Sequence, residues 1–208
     1  MTFAIDDWSK IAGLLHIDSY VENLFKNCSN KTSVDKNGKF LLHYILKYAS
    51  KRMSLMALDV LRLNINDMNI TGVRSIHVAC RFSSFEVVFK CIMNGADVNV
   101  VSNFRWSTFH FVCSRNEGNY MSESYAIIQL MLEMVKDIEL RNSKDRNENT
   151  PMHLLCMHNQ SVDILNLALN NFDVSARNKL GKGPIDYIYK YGNSDQRDVI
   201  EKRGLEFD

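Results

Sequence analysis

The protein is a chain of 208 residues, of which 46% are apolar and 24% are charged. This composition is typical of a soluble globular protein, and a chain of this length buries roughly 70% of the surface that its unfolded form exposes. Lysine and arginine total 25 against 24 acidic residues, and the net charge of +1 argues against a histone-like polybasic protein. The sequence also lacks the run of roughly 20 apolar residues that a membrane-spanning helix requires.

Cysteine usage and the first residues of the chain predict a reducing compartment. The five cysteines show no paired spacing. The opening segment carries two acids where a secretory signal would carry basic residues before an apolar run. We therefore expect a cytoplasmic protein, a nuclear protein, or one present in both compartments. Little glycine or proline is available for a flexible linker, so a single domain over residues 1–208 is expected.

A helix-opening segment that contains a histidine recurs along the chain. It ends at His43, His77, His110 and His153, and the successive spacings are 34, 33 and 43 residues. The last spacing equals one period of about 33 residues plus about ten inserted residues. A fifth opening, with aspartate in place of histidine, ends at Asp186, 33 residues further on. This period predicts a repeat architecture whose units must stack, because a pair of short helices cannot bury its apolar face alone.

The repeated segments resemble the ankyrin-repeat family. The family's motif is an Asp-x-x-Gly turn, then Thr-Pro-Leu-His-x-Ala-Ala, a second helix and Gly-Ala-Asp-Val-Asn. Thr150-Pro151-Met152-His153 matches its first half, and Gly95-Ala96-Asp97-Val98-Asn99 matches its end. The resemblance implies an all-α fold, an ankyrin-repeat solenoid of about six stacked helix-turn-helix units with hairpin fingers. The expected units, of which the first and last act as caps, cover approximately residues 1–34, 35–68, 69–101, 102–144, 145–177 and 178–208.

Several family positions are altered in this chain. The turn glycine is present only at Gly38, Gly72 and Gly181, and the Thr-Pro pair only at the fifth unit. The extra residues fall within the fourth unit, where the polar segment 116–124 is expected to form a surface loop between two helices. The period itself is intact, so these changes do not alter the expected fold.

Three of the histidines are followed three residues later by cysteine, which raises the alternative of a metal site or a Cys-dependent enzyme. Both side chains lie on one face of a helix, and zinc favours such ligands. Each unit, however, offers two ligands where zinc requires four. The resemblance implies instead that the histidines join adjacent turns by hydrogen bonds and that Cys80, Cys113 and Cys156 fill small buried positions. We expect no cofactor, metal or catalytic residue; Cys28 is expected to be exposed and Cys91 buried.

In the ankyrin family, the partner surface is the concave side, formed by the hairpin tips and the exposed flank of each first helix. Its positions lie seven, six and four residues before the motif histidine, and four and five residues after it. Applied to the five openings, this rule selects 25 residues, of which nine are basic and none is acidic. The residues expected to bind a partner, including Arg105 just outside the selected set, are Lys47, Tyr48, Arg81, Phe82, Phe104, Arg105, Trp106, Arg115, Arg146, Lys190 and Tyr191.

A positive surface with aromatic residues suits an acidic partner, because charge steers the encounter and desolvated aromatic and arginine side chains supply most of the affinity. We therefore expect a non-catalytic interaction module, monomeric alone and with no membrane partner. It would act as an adaptor or inhibitor that binds an acidic or phosphorylated segment of another protein. By resemblance, a viral or pathogen ankyrin protein that targets a host signalling or transcription factor fits this description. The alternatives are direct nucleic-acid binding and the metal-binding or Cys-dependent enzyme.

Overall fold

Helices make up the regular structure of the chain. The computed structural model describes residues 4–5, 7–61, 64–115, 123–158 and 161–205. Within these ranges there is no strand, and no helix is long and apolar enough to cross a bilayer. One 3-10 helix spans Trp8–Leu14. The α-helices are α1 (Asp18–Asn27), α2 (Leu41–Tyr48), α3 (Lys51–Val60), α4 (Ser75–Phe82), α5 (Phe85–Met93), α6 (Thr108–Cys113), α7 (Ser124–Met134), α8 (Ile138–Arg141), α9 (Pro151–Met157), α10 (Val162–Leu169), α11 (Pro184–Tyr191) and α12 (Ser194–Lys202).

The helices form pairs, and the pairs stack within two compact units. The N-terminal unit, Met1–Val98, contains the 3-10 helix with α1, then α2 with α3 and α4 with α5. The C-terminal unit, Asn99–Asp208, contains α6 with α7, α9 with α10 and α11 with α12. In each unit first helices contact first helices, as α9 contacts α6 and α11, and second helices contact second helices, as α3 contacts α1 and α5. The predicted all-α stack of helix-turn-helix units is confirmed.

Hairpin fingers precede the first helices, and one side chain closes each turn. Asp35 Oδ1 accepts hydrogen bonds from the backbone N–H groups of Asn37 and Lys39, at 2.8 and 2.9 Å. The same pair of bonds recurs at Asn69, Asp145 and Asn178. A local carboxylate or amide oxygen therefore satisfies backbone donors that the tight turn would otherwise leave unpaired. Isolated antiparallel bridges across three of these fingers join Val34 to Phe40, Met68 to Arg74, and Val101 to Ser107.

The fourth residue of each turn has a left-handed backbone, with or without glycine. The φ angles are +66° at Gly38, +73° at Gly72 and +70° at Gly181. In the two remaining fingers Arg105 and Glu148 take the same conformation, at +63° and +60°. A residue with a Cβ atom is strained there by roughly 1–2 kcal/mol. The family turn thus survives the loss of its glycine, at a cost in stability.

Replacing Glu148 by glycine is expected to stabilise the protein by about 0.5–1 kcal/mol, because the relief of strain exceeds the added freedom of the unfolded chain. The exposed ion pair that is lost, with Lys144 at 3.5 Å, is worth a few tenths of a kcal/mol at most. The free energy of unfolding in urea measures the change. The converse variant, Gly181→Ala, meets no atom within 4 Å of its new Cβ and should lose about 1 kcal/mol. Equal stability of all three proteins would contradict this account.

The motif histidines connect consecutive fingers. The Nδ1 atom of His110 accepts the backbone N–H of Ser107 at 3.1 Å, so the proton resides on Nε2, which donates to the carbonyl of Asn149 in the next finger at 3.1 Å. His43 and His153 make the equivalent pairs of bonds. The fully or almost fully buried imidazoles are therefore satisfied by the backbone on both nitrogens.

Two expectations about individual segments are changed by the structure. Cys28 was expected to be exposed, but only 2% of it is accessible, because Asn30 binds the backbone of Ile5 through both of its amide atoms and covers the end of α1. Of the expected loop at 116–124, residues 116–122 lie outside the described residues. Glu123 precedes α7, and Ser124 is its first residue and is buried.

A short helix that the repeat pattern did not predict follows α7. This helix, α8, ends in Arg141, whose guanidinium donates hydrogen bonds to the carbonyls of Leu132 and Val135 at 2.8–3.0 Å. A cation at the C-terminal end of a helix binds carbonyls that have no partner within the helix. Arg141 thus caps α7 after the irregular fourth repeat.

Candidate functional site

Charge is segregated between first and second helices. Within the described first helices, α2, α4, α6, α9 and α11, the one acidic residue is Asp186, which occupies the motif histidine position. The second helices carry the acids Asp18, Glu22, Asp59, Glu86, Glu133, Asp163, Asp195, Asp198 and Glu201. Ion pairs join neighbouring second helices, since Lys51 binds Glu86 and Lys90 binds Asp59 at 2.6–2.7 Å. Among the first helices, α2, α4 and α11 each carry one cation near the C-terminal end, Lys47, Arg81 and Lys190, whereas α6 and α9 carry no lysine or arginine.

The N-terminal unit holds a cluster of two cations and two aromatic rings at the ends of α2 and α4. The ammonium of Lys47 lies 4.8 Å from the ring centroid of Tyr48 and 5.0 Å from that of Phe82. The guanidinium carbon of Arg81 lies 5.3 Å from the same Phe82 ring. Burial lowers the pKa of Arg81 from its ordinary value, which marks a partly desolvated cation. The structure thus brings together four of the expected partner-binding residues, and we call them the Phe82 cluster.

Two consecutive finger tips meet in the C-terminal unit. Phe104 is 47% exposed, and the guanidinium carbon of Arg146 lies 5.1 Å from its ring centroid. The neighbouring Trp106 is partly buried: its Nε1–H donates to Asp145 at 3.2 Å, and its ring stacks on His110 with centroids 6.0 Å apart. Phe104 and Arg146 are therefore presented to solvent, whereas the indole already has an internal structural role.

A third cluster lies at the exposed end of α11. The ammonium of Lys190 lies 4.9 Å from the ring centroid of Tyr191, which is 47% exposed and stacks on Tyr187. A hydrogen bond with Tyr191 raises the pKa of Lys190 from its ordinary value. This cluster repeats the arrangement of Lys47 and Tyr48 at the end of α2, because both pairs follow their motif position by four and five residues.

Arg115 does not share the exposure that the family rule implies. Only 3% of the residue is accessible. The rule assumes a first helix that continues to the fifth residue after the histidine, as α2, α4 and α11 do. The α6 helix ends at Cys113, and the backbone N–H of Arg115 then donates to the carbonyl of Val112 as the chain turns inward. Arg115 is therefore buried, whereas Arg105, at the turn before α6, is exposed.

A groove lies between α11 and the last two fingers, and the five positions that the family rule selects around Asp186 all line it: Lys179, Leu180, Lys182, Lys190 and Tyr191. Its volume is about 1030 Å³, and its lining is mostly apolar. Leu180, Tyr187 and Tyr191 contribute to the walls together with three lysines. The sequence signal for it was the tyrosine at every second position of α11 and the aspartate that replaces the motif histidine.

The buried cysteines do not have the environment of nucleophiles. All five are free and buried, and burial raises the pKa values of Cys91, Cys113 and Cys156 well above the ordinary range. A catalytic thiol needs a lowered pKa and access to substrate. Within the described ranges, no group of three or more histidine, cysteine, aspartate or glutamate side chains could hold a metal ion.

Comparison with known proteins agrees with the repeat architecture. A family model described as "Ankyrin repeats (3 copies)" matches residues 76–178. The chain is similar to the Ankyrin repeat protein OPG189 of Variola virus, at 25% identity over 206 residues that cover 88% of this chain and 36% of that protein. It is also similar to the Inhibitor of Apoptosis OPG037 of Variola virus, at 31% identity over 107 residues that cover 50% of this chain and 22% of that protein. The human Transient receptor potential cation channel subfamily A member 1 matches at 24% identity over 148 residues, 68% of this chain and 13% of the channel.

The chain spans 36% or less of the length of each of these relatives. Ankyrin repeats are scaffolds for binding other proteins and are generally not enzymes, so protein–protein interaction is the general role of this fold. The stacked helix pairs, the closed fingers, the buried motif histidines and the match to the repeat model together show that the chain belongs to the ankyrin-repeat family.

Proposed function

We propose that the protein is a non-catalytic adaptor or inhibitor that binds an acidic or phosphorylated segment of another protein through the exposed flank of its first helices and fingers. The observation that carries this proposal is the Phe82 cluster. Two cations from consecutive repeats, Lys47 and Arg81, both lie about 5 Å from the ring of Phe82, and the first helices of the N-terminal unit contain no acid.

This arrangement favours both the rate of encounter with an acidic partner and the affinity of the complex. A local excess of positive charge raises the rate of encounter with an acidic segment, even though the whole chain carries a net charge of only +1. The rings supply apolar contact area that remains partly exposed in the free protein, since Tyr48 is 40% accessible. Because these rings and cations are already in contact in the free protein, their side chains lose little conformational entropy on binding, and the binding free energy is correspondingly more favourable.

The relatives suggest the setting. Two of them are Variola virus proteins, one named as an ankyrin repeat protein and one as an inhibitor of apoptosis. We therefore propose a viral or pathogen protein that holds a host signalling or transcription factor, in the cytoplasm, the nucleus or both.

Reversing Lys47 and Arg81 to glutamate is expected to weaken partner binding about 100-fold, roughly tenfold for each cation. Partners are captured from a host-cell extract on the wild-type chain, identified by mass spectrometry and then titrated in purified form. The matched control is Lys26→Glu with Lys202→Glu, which changes the net charge equally at exposed positions of the second helices α1 and α12. Unchanged affinity of the first double variant would contradict the proposed surface.

The same titration separates protein binding from nucleic-acid binding. Affinity for a single-stranded oligonucleotide that exceeds the affinity for the captured protein, and that falls steeply with salt concentration, would favour the second function. Thermal stability of the control variant should remain within about 1 kcal/mol of the wild type, because surface charges seldom contribute more than about 0.5 kcal/mol each. Arg81 is half-buried, so circular dichroism verifies that Lys47→Glu with Arg81→Glu retains the fold.

A further inference from the structure

The groove between α11 and the last two fingers gives the proposed function a more specific partner. We infer that this groove binds an extended acidic peptide segment in which aspartate or glutamate side chains alternate with large apolar ones. The inference rests on the proposed function, and it adds a second contact region, in the C-terminal unit, with its own chemistry.

The shape and apolar content of the groove fit side chains of a peptide. Its volume of about 1030 Å³ is at the upper end of the range for ligand pockets. Leu180 on the last finger is 79% exposed, and Tyr187 and Tyr191 form a stacked pair on α11 with ring centroids 6.2 Å apart. Apolar surface that is accessible to solvent on two facing elements favours occupation by aliphatic or aromatic side chains.

The charge of the groove selects acidic residues. Lys179, Lys182 and Lys190 line it, and all three are exposed. None of them forms an ion pair with a carboxylate in the part of the chain that the structure describes. Three lysines around an apolar surface are complementary to a segment whose carboxylates flank a buried apolar side chain.

The hydroxyl of Tyr187 adds a hydrogen-bond donor. The Oδ1 atom of Asn178 accepts the backbone N–H groups of Leu180 and Lys182, at 2.9 and 3.1 Å, which fixes the orientation of the amide. Its Nδ2 atom therefore points to the Tyr187 hydroxyl oxygen, 2.9 Å away, and donates to it. The hydroxyl hydrogen of Tyr187 then remains for an acceptor in the groove. In the second repeat the equivalent Tyr44 instead donates to Asp35 within the protein.

Asp186 opens α11 beneath the groove and takes over one of the two bonds of a motif histidine. Its Oδ2 accepts the backbone N–H of Gly183 at 2.8 Å, as the motif histidines do at their own helix openings. Its Oδ1 is buried and has no donor among the described residues, whereas His153 uses its second nitrogen to bind Lys182 of the next finger. A buried acceptor without a donor is costly.

The same features favour a carboxylate peptide over a nucleic acid or a phosphopeptide. The cations that line the groove are lysines, and arginine, whose planar guanidinium binds phosphate with two parallel hydrogen bonds, does not line it.

Fluorescence anisotropy with the full chain tests the inference. The probe is a short fluorescein-labelled peptide in which aspartate and glutamate alternate with phenylalanine and leucine. Lys182→Glu combined with Lys190→Glu should weaken binding about 100-fold, and Tyr187→Phe should weaken it about tenfold. Lys26→Glu with Lys202→Glu is again the control for net charge. Circular dichroism of each variant verifies that the fold is retained, and Lys190→Gln provides a milder change if the double reversal does not fold.

Four results would overturn the inference. They are equal affinity of the wild type and the lysine variants, equal binding of a peptide with asparagine and glutamine in place of its acids, tighter binding of a phosphoserine peptide, and tighter binding of a single-stranded oligonucleotide. Loss of peptide binding only in Lys47→Glu with Arg81→Glu would also reject the groove but would leave the proposed function in place. If neither pair of variants affects the captured partner, the proposed function fails as well.

Discussion

Replacing Cys113 by arginine is expected to unfold the C-terminal unit at room temperature. The thiol lies on α6, which contacts both α7 and α9, and only 1% of the residue is accessible to solvent. Burial also raises the pKa of this thiol, as expected in surroundings that disfavour charge. An arginine at this position must either bury an unpaired cation or separate the helices. Either outcome costs several kcal/mol, a large part of the 5–15 kcal/mol that stabilises a typical domain.

Circular dichroism during thermal and urea unfolding measures the loss for Cys113→Arg. The matched control is Cys113→Ala, which removes the sulfur but leaves a small apolar side chain, and it should cost about 1 kcal/mol. The difference between the two variants isolates the effect of charge and volume from the loss of the thiol. A melting temperature of the arginine variant within a few degrees of the wild type would contradict the buried position of Cys113.

Much of the fold is predictable from the sequence because equivalent positions in successive repeats carry residues with the same structural role. The histidine spacing predicts where each first helix begins, and a buried imidazole that binds two backbone groups explains why that residue type recurs. The oxygen-bearing side chains at Asp35, Asn69, Asp145 and Asn178 mark the fingers for the same reason, since each accepts two backbone N–H groups. Local chemistry and period agree at these positions, which is what makes the prediction reliable.

The errors arise where one repeat departs from the others. Arg115 was assigned to the surface by its distance from His110, but α6 ends two residues earlier, so the same spacing leads to a buried position. Cys28 lies outside the motif, and its burial depends on a contact between Asn30 and Ile5, 25 residues apart, which no local pattern encodes. Spacing rules transfer between repeats only while the helix lengths are equal.

The sequence predicted one continuous surface rich in cations and aromatic residues. In the structure these residues form separate clusters. Acids are absent from the described first helices except at Asp186 and occur on the second helices, whereas the exposed cations of the selected positions lie on the fingers and near the ends of α2, α4 and α11. The family rule selects five residues that line the groove, but the roles of Asp186 and Tyr187 were not predicted, because a single replaced motif residue is uninformative without the three-dimensional position of its neighbours. Partner binding at all of these positions remains a prediction.

Acidification from pH 7 to pH 5 is expected to destabilise the protein by about 2 kcal/mol through His110 alone. Burial lowers the pKa of this imidazole to about 4, against an ordinary value of 6.5, although the carbonyl of Asn149 and the carboxylate of Asp145 partly oppose the shift. The imidazole is therefore neutral in the folded state at pH 5, whereas it is protonated in the unfolded chain. Stability conferred by a depressed histidine pKa is present in full above pH 6.5 and is lost as the pH falls towards 4. Burial lowers the pKa values of His43 and His153 in the same direction.

Urea unfolding at a series of pH values, together with nuclear magnetic resonance titration of the imidazole C–H groups, tests this mechanism. His110 should titrate with a midpoint near 4, and the free energy of unfolding should rise with pH between about 4 and 6.5. The variant His110→Gln is neutral throughout. It should be less stable than the wild type at pH 7, because glutamine cannot reproduce both hydrogen bonds of the imidazole, yet it should show a shallower dependence on pH. A His110 midpoint near 6.5, or an unchanged slope in the variant, would mean that the links between fingers tolerate a charged imidazole, contrary to the geometry in which the Nδ1 atom faces a backbone N–H group.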